Sequence, residues 1–416
     1  MSSQHWMMKY MQTFQCVGSE CELNCCVGWD VALQPGEASQ VKAALQKIDV
    51  YQEGVQPVFQ VMEQTQTMPQ MKSGHCVMLT ETQMCGLRSQ CGESTLPSVC
   101  SMYPREVKRY GTRLELSAKT SCPEIARILL LSPNATDRVP LTPTSLPRTR
   151  TDFAVDQPNK QAWTQHLDEL RNMALDMLSL PYPTGHCLFF LTEVAHRLRG
   201  VLDASTERDP GMGIHTAIEP LLVRKNLGAT HAHLNQLNWT GEAILPVILN
   251  LLTIRAVGAA KNPHDPIRKL YSYLCSYNQL SPLDIDAASR ILWPKHQARA
   301  AQLSGQWGEV VDGFARRYAL HYWHHEWFPR HPSMVEYVVR HLLLHGMHRV
   351  LLVNHPDIAY YLDKNEVVPR DVLEEVAVSV LSKVTRSFEH QDLIQKVMEP
   401  LKVQGSWSTT QKLCFL

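Results

Sequence analysis

The chain has 416 residues, 44% hydrophobic and 19% charged, with 40 basic side chains balancing 40 acidic ones. That length exceeds one small core and predicts two or three cooperating units. A net charge of zero leaves no field to gather nucleic acid, which excludes a general DNA or RNA binder.

The opening "MSSQHWMMKYMQTFQ" lacks a basic stretch leading into an apolar run, so it does not read as a secretory signal. The apolar stretch "AILPVILNLLTI" (243–254) is too short for the roughly 18 residues of a membrane span. A cytoplasmic protein without a membrane partner is expected. In a reducing compartment structural disulfides are rare, so clustered thiols point to metal or redox chemistry.

Such clusters come first along the chain. Cys16, Cys21, Cys25 and Cys26 fall close together, a helix is predicted over 37–49, and the polar, Gln/Met-rich stretch 61–75 reads as an excursion. Cys76 and Cys85 follow, then Cys100 with Tyr103, Pro104 and Arg105, then Cys122 at the start of a predicted helix over 122–131. Residues 132–160, rich in Pro, Thr and Asp, read as a linker or long surface loop. Beyond it, residues 161–416 carry apolar positions at helical spacing, strand signals are sparse, and the glycines of "DPGMGIH" (209–215) read as a loop. The predicted class is mainly α: a cysteine-rich, partly irregular metal-binding region (1–131) followed by a bundle-like helical domain that would recognise the substrate.

Nine of the twelve cysteines lie within the first 122 residues, a segregation that isolated buried thiols do not produce. The spacings exclude a zinc ribbon, a Cys2His2 finger and a ferredoxin run. An all-thiol set leaves zinc and iron-sulfur open. Adjacent Cys25 and Cys26 suit one tetrahedral ion poorly, whereas a larger cluster accepts ligands from scattered loops. The ligand candidates are Cys16, Cys21, Cys25, Cys26, Cys76, Cys85, Cys100 and Cys122; Cys187, Cys275 and Cys414 are excluded. His341, His345 and His348 share a helix face, and His321, His324, His325 and Glu326 crowd another segment. Without an H-E-x-x-H they read as core or surface histidines.

The pattern Phe14, Cys16, Cys21, Cys25, Cys26, Gly28, Trp29, then Cys76, Leu79, Cys85, Gly92, Glu93, Leu96, then Cys100, Tyr103, Pro104, Arg105 and Cys122, Pro123 resembles the flagellin lysine-N-methylase (FliB) family. The later helical blocks, including Glu389 and His390, extend the likeness over nearly the whole chain. Cys91, the Gln/Met-rich excursion and "SLPYPTGHCLFFL" (178–190) depart from it. The resemblance implies N-methylation of lysine side chains on a protein, flagellin, from S-adenosylmethionine, with a [4Fe-4S] cluster in the cysteine-rich part. No Gly-rich strand-to-helix turn offers the usual cofactor fold. An open iron on a three-cysteine cluster, with Tyr103 and Arg105 beside it, is the expected handle for the cofactor; Arg105 as a plain structural salt bridge is the alternative. Two other readings remain open: a non-catalytic zinc-binding interaction protein, and a cluster enzyme modifying a peptide or natural product.

Overall fold

The computed structural model describes residues 5–28, 31–46, 56–69, 74–142, 153–155, 166–204, 211–236, 241–258, 264–326, 333–388 and 411–416. The chain divides into two units, one of residues 1–128, 137–154 and 259–265, the other of 129–136, 155–258 and 266–416.

In chain order the elements up to residue 155 are β1 (Trp6–Met8), α1 (Tyr10–Thr13), β2 (Val31–Ala32), α2 (Glu37–Leu45), α3 (Gln56–Thr65), β3 (Thr67–Met68), α4 (Gly86–Cys91), α5 (Ser98–Met102), β4 (Arg105–Tyr110), β5 (Arg113–Ala118), α6 (Pro123–Leu131), β6 (Arg138–Pro140) and β7 (Phe153–Val155). A five-stranded sheet runs β6-β1-β5-β4-β7, and β2 pairs antiparallel with β3. Its centre is the hairpin β4–β5, closed at Gly111, whose φ of +59° meets the positive φ that a tight two-residue turn requires at its first position.

This sheet was not foreseen in the cysteine-rich region, which was expected to be helical or irregular. Alternation failed as a signal because neighbouring positions Glu106, Val107 and Lys108 are all buried, the charged pair held at 3.3 Å, so polar and apolar residues do not mark opposite faces. The buried Tyr10 hydroxyl stitches the N-terminus to the sheet, accepting the Ala118 amide at 2.8 Å. Residues 61–69 are also corrected: α3 and β3 bury Met62 and Met68 in a core with Val31, Val41, Leu45 and Leu87. Residues 70–73 of the expected excursion lie outside the described residues. Part of the expected linker forms β6, and β7 follows it within the same stretch.

The remaining elements are helices: α7 (Leu167–Leu178), α8 (Thr184–Ala204), α9 (Gly211–Leu222), α10 (Arg224–Gln236), α11 (Leu245–Gly258), α12 (Pro266–Asn278), α13 (Ile285–His325), α14 (Met334–Val353), α15 (Pro356–Asp363) and α16 (Arg370–Phe388). The glycines read as a loop instead begin α9. The central helix is α14, packed on α8, α13 and α16. Its start follows the capping-box pattern, with the Ser333 hydroxyl accepting the Glu336 amide at 3.1 Å.

Helix α13 breaks at Trp307, whose φ of −136° is not helical; the indole N–H donates to the Val368 carbonyl at 2.9 Å, so a neighbouring segment fixes the kink. Deeper in the same unit the Arg299 guanidinium donates to Asn278 at 2.7 Å, Asn354 at 3.0 Å and both Asp363 carboxylate oxygens. Arg316 donates to the carbonyls of Leu178, Leu180 and Tyr182, serving acceptors that the end of α7 leaves free. The last residues, 411–416, lie against α8 and α14; a Cβ at Gly346 would stand 2.9 Å from Leu416.

Candidate metal centre

The N-terminal unit assembles its site from loops, and the backbone fixes them. Val27 pairs with His75, the Cys76 amide donates to the Cys26 carbonyl at 2.8 Å, and Leu79 pairs with Cys85. Asn24 pins the first loop twice: its side-chain oxygen accepts the Cys26 amide at 2.8 Å, and its nitrogen donates to the Gln83 carbonyl at 2.9 Å. Helix α2 is tied to α5 by Glu37, whose buried carboxylate accepts the amides of Gln34 at 2.8 Å and Ser98 at 2.7 Å.

These loops surround a cavity of about 160 Å3. Cys16, Cys21, Cys25, Cys26, Cys76, Cys85, Cys100 and Cys122 all line it, as do Tyr103 and Arg105. Cys16 and Cys25 are exposed at its edge, whereas Cys122 is buried. Cys91 lies apart from this lining, its thiol donating to the Ala44 carbonyl at 3.5 Å. Cys187, Cys275 and Cys414 are buried in the helical unit.

Four of the lining thiols share one local geometry. The amide two residues further on donates to the sulfur: Leu23 to Cys21, Met78 to Cys76, Leu87 to Cys85 and Glu124 to Cys122. For Cys85 and Cys122 the donors open helices α4 and α6, where unpaired N–H groups favour negative charge.

Burial works against ionisation and outweighs the amide donors at most of these thiols. It pushes Cys76 up to about 11 and Cys122 up to about 12, and raises Cys100 and Cys21, with neighbouring thiolate charge adding to the effect. Cys26 and Cys85 share a hydrogen bond; that bond, opposed by burial and aided by the Arg88 and Leu87 amides and the Arg88 charge, lowers Cys85. Arg88 escaped the sequence reading, although its position three residues after Cys85 on a short helix is a usable signal.

Tyr103 and Arg105 enter the wall from the end of α5 and the start of β4. The Tyr103 hydroxyl bonds Ser121 at 3.2 Å, and the Arg105 guanidinium lies over the Phe14 ring at 5.3 Å from its centroid. A cation held on an aromatic face keeps its N–H fork available to a planar anion.

Among the described residues, no group of three or more His, Cys, Asp or Glu side chains is arranged to hold a metal ion. A zinc-sulfur bond of about 2.3 Å would require four thiolates within about 3.8 Å of one another. The eight thiols line one cavity. A polynuclear iron-sulfur group spreads its ligands in this way, and amide donors to sulfur are among the protein's means of tuning it. The all-thiol donor chemistry and the space accommodate such a group. The histidines belong to the helical core: His341 stacks on Tyr322 with ring centroids 4.4 Å apart, and His321 stacks on His325 at 5.0 Å.

Over 132 residues, 30% of its length, the chain is 26% identical to the Lysine-N-methylase of Salmonella typhimurium. The chain is similar to lysine-N-methylases. The Lysine-N-methylase of Salmonella choleraesuis matches at the same identity, and the flagellar biosynthetic protein FliU of Salmonella muenchen matches over 76% of its own length. The match spans about a third, 32%, of each lysine-N-methylase. It bears out the resemblance drawn from the cysteine motifs. No protein-family model and no solved structure matches the chain.

Proposed function

We propose that this protein transfers a methyl group from S-adenosylmethionine to lysine side chains of a protein substrate, flagellin, and that its cysteine-lined cavity holds a [4Fe-4S] cluster. The similarity to proteins named Lysine-N-methylase carries the reading. The eight thiols around one cavity support its inorganic part.

A lysine ammonium of ordinary pKa about 10.4 has no lone pair for a sulfonium methyl, so the site must take its proton first. Glu93 in the cavity wall would accept that proton. Arg105, held over Phe14, would meet the carboxylate of S-adenosylmethionine, and Tyr103, bonded to Ser121, would orient it. The lysine nitrogen then forms its bond to carbon as the carbon-sulfur bond breaks, leaving a neutral thioether. Holding both partners in line supplies much of the acceleration. A bound cluster would supply an open iron as an anchor for the cofactor's amino and carboxylate groups.

Anaerobic purification with iron and sulfide analysis, followed by incubation with S-adenosylmethionine and flagellin, tests the reading. Acid-labile sulfide and a gain of methyl mass on flagellin lysines are the expected results. Zinc in place of iron, or unmodified flagellin with a fully loaded protein, overturns it.

A further inference from the structure

Six of the eight lining cysteines, Cys16, Cys21, Cys25, Cys26, Cys76 and Cys85, lie on loops between the helices and strands. A site carried by loops is only as precise as the bonds that hold those loops to one another. Several of those bonds run main chain to main chain.

The loop 16–28 meets the loop 74–79 in this way: the Cys76 amide donates to the Cys26 carbonyl at 2.8 Å, and the Gly28 amide to the Gly74 carbonyl at 2.9 Å. The turn 80–84, which leads into Cys85, closes on itself. Its Thr80 amide donates to the Met84 carbonyl at 2.9 Å, and its Gln83 amide to the Thr80 carbonyl at 3.0 Å, with Gln83 at a φ of +61°. Just beyond it the Gly86 amide donates back to the Met78 carbonyl at 2.7 Å. Bonds of this kind survive most substitutions, because every residue but proline supplies both groups.

A side chain joins the first loop to that turn. Asn24, half-buried in the cavity wall between Cys21 and Cys25, accepts the Cys26 amide at 2.8 Å and donates to the Gln83 carbonyl at 2.9 Å. One short arm therefore spans two thiol-bearing segments. Its partners fix which way the amide faces, since an N–H needs the oxygen and a carbonyl needs the nitrogen. Aspartate would keep the acceptor and lose the donor; alanine would lose both.

We infer that Asn24 is a positioning residue of the thiol site: it holds Cys25 and Cys26 in register with Cys85, so that the wall is set before an inorganic group enters. This rests on the cluster reading above and adds to it the residue that readies the ligands. A loop left untied must be ordered as the group binds, and that conformational entropy weakens the binding.

The test compares full-length wild type, N24A and N24D, each loaded anaerobically with ferrous iron and sulfide and then titrated with an iron chelator while visible absorbance is followed. N24A should give up half its iron at about 10- to 100-fold less chelator than wild type, the usual cost of losing a partner behind the ligands, with N24D between them. The electron paramagnetic resonance lines of reduced N24A should broaden, as untied ligands sample a spread of geometries. Circular dichroism of the iron-free proteins checks folding, and N24D carries the test should N24A fail it. N24A holding iron as tightly as wild type overturns the role of Asn24 and leaves the cluster reading standing. N24D as tight as wild type overturns the register with Cys85. Wild type that takes up no iron overturns both the role and the cluster.

Discussion

Arg299 serves four acceptor atoms on three segments, and it is 3% exposed. Arg299→Ala would leave Asn278 and Asn354 buried without their donor, a loss expected to cost about 3–5 kcal/mol. Urea unfolding of the variant should show it, and Arg299→Lys should recover little, since an ammonium cannot reproduce the planar fork. Arg105 offers the opposite case, because its guanidinium rests on Phe14 at the cavity wall. Arg105→Ala should raise the KM for S-adenosylmethionine about 10- to 100-fold, the worth of a charge-assisted contact, with iron content unchanged. A variant that loses its iron together with its cofactor affinity would show that Arg105 holds the loops and not the ligand.

The elements differ in how plainly the sequence announced them. Helices α8, α14 and α16 were legible because apolar residues recur along each at helical spacing. The hairpin β4–β5 was not, because its inner positions pair Glu106 with Lys108 and both sides are covered. Gly211 and Gly213 misled in the other direction, since glycine weakens a helix without forbidding one. The eight cysteine candidates were named from the sequence, but their convergence on one cavity depends on how α6 brings Cys122 into the same lining as Cys21, a long-range fact that no local pattern carries. The kink in α13 can be tested at its tie. Trp307→Phe deletes the donor to the Val368 carbonyl and should lower stability by about 1 kcal/mol, read as a shift in thermal midpoint. Gly346→Val would push into Leu416, Ile248 and Leu413, an overpacking expected to cost about 1–3 kcal/mol.

At the scale of the molecule, the helical unit carries a built-in acid sensitivity. Burial, then the positive charges of Arg349 and Arg299, holds His296 down to about 3; burial and Arg349, offset in part by Asp312, does the same for His345. Both rings are neutral when folded and take a proton near the ordinary 6.5 when unfolded. The unfolded state therefore binds more protons below that value. Stability is full above about pH 6.5 and falls as the pH drops toward 3, by about 1.4 kcal/mol per unit for each ring. Urea midpoints taken between pH 7 and pH 4 should trace that slope, and His345→Gln should reduce it by about one proton. A slope unchanged in the variant would show that His345 is protonated within the fold.

The eight-thiol wall draws on residues about a hundred positions apart, from Cys16 to Cys122. A ribosome-bound nascent chain cannot present that wall until α6 (Pro123–Leu131) has emerged, so a group that needs the whole lining cannot be bound before then. On the proposed cluster reading, cells starved of iron during synthesis should accumulate a form that takes up iron and sulfide afterwards without being made anew.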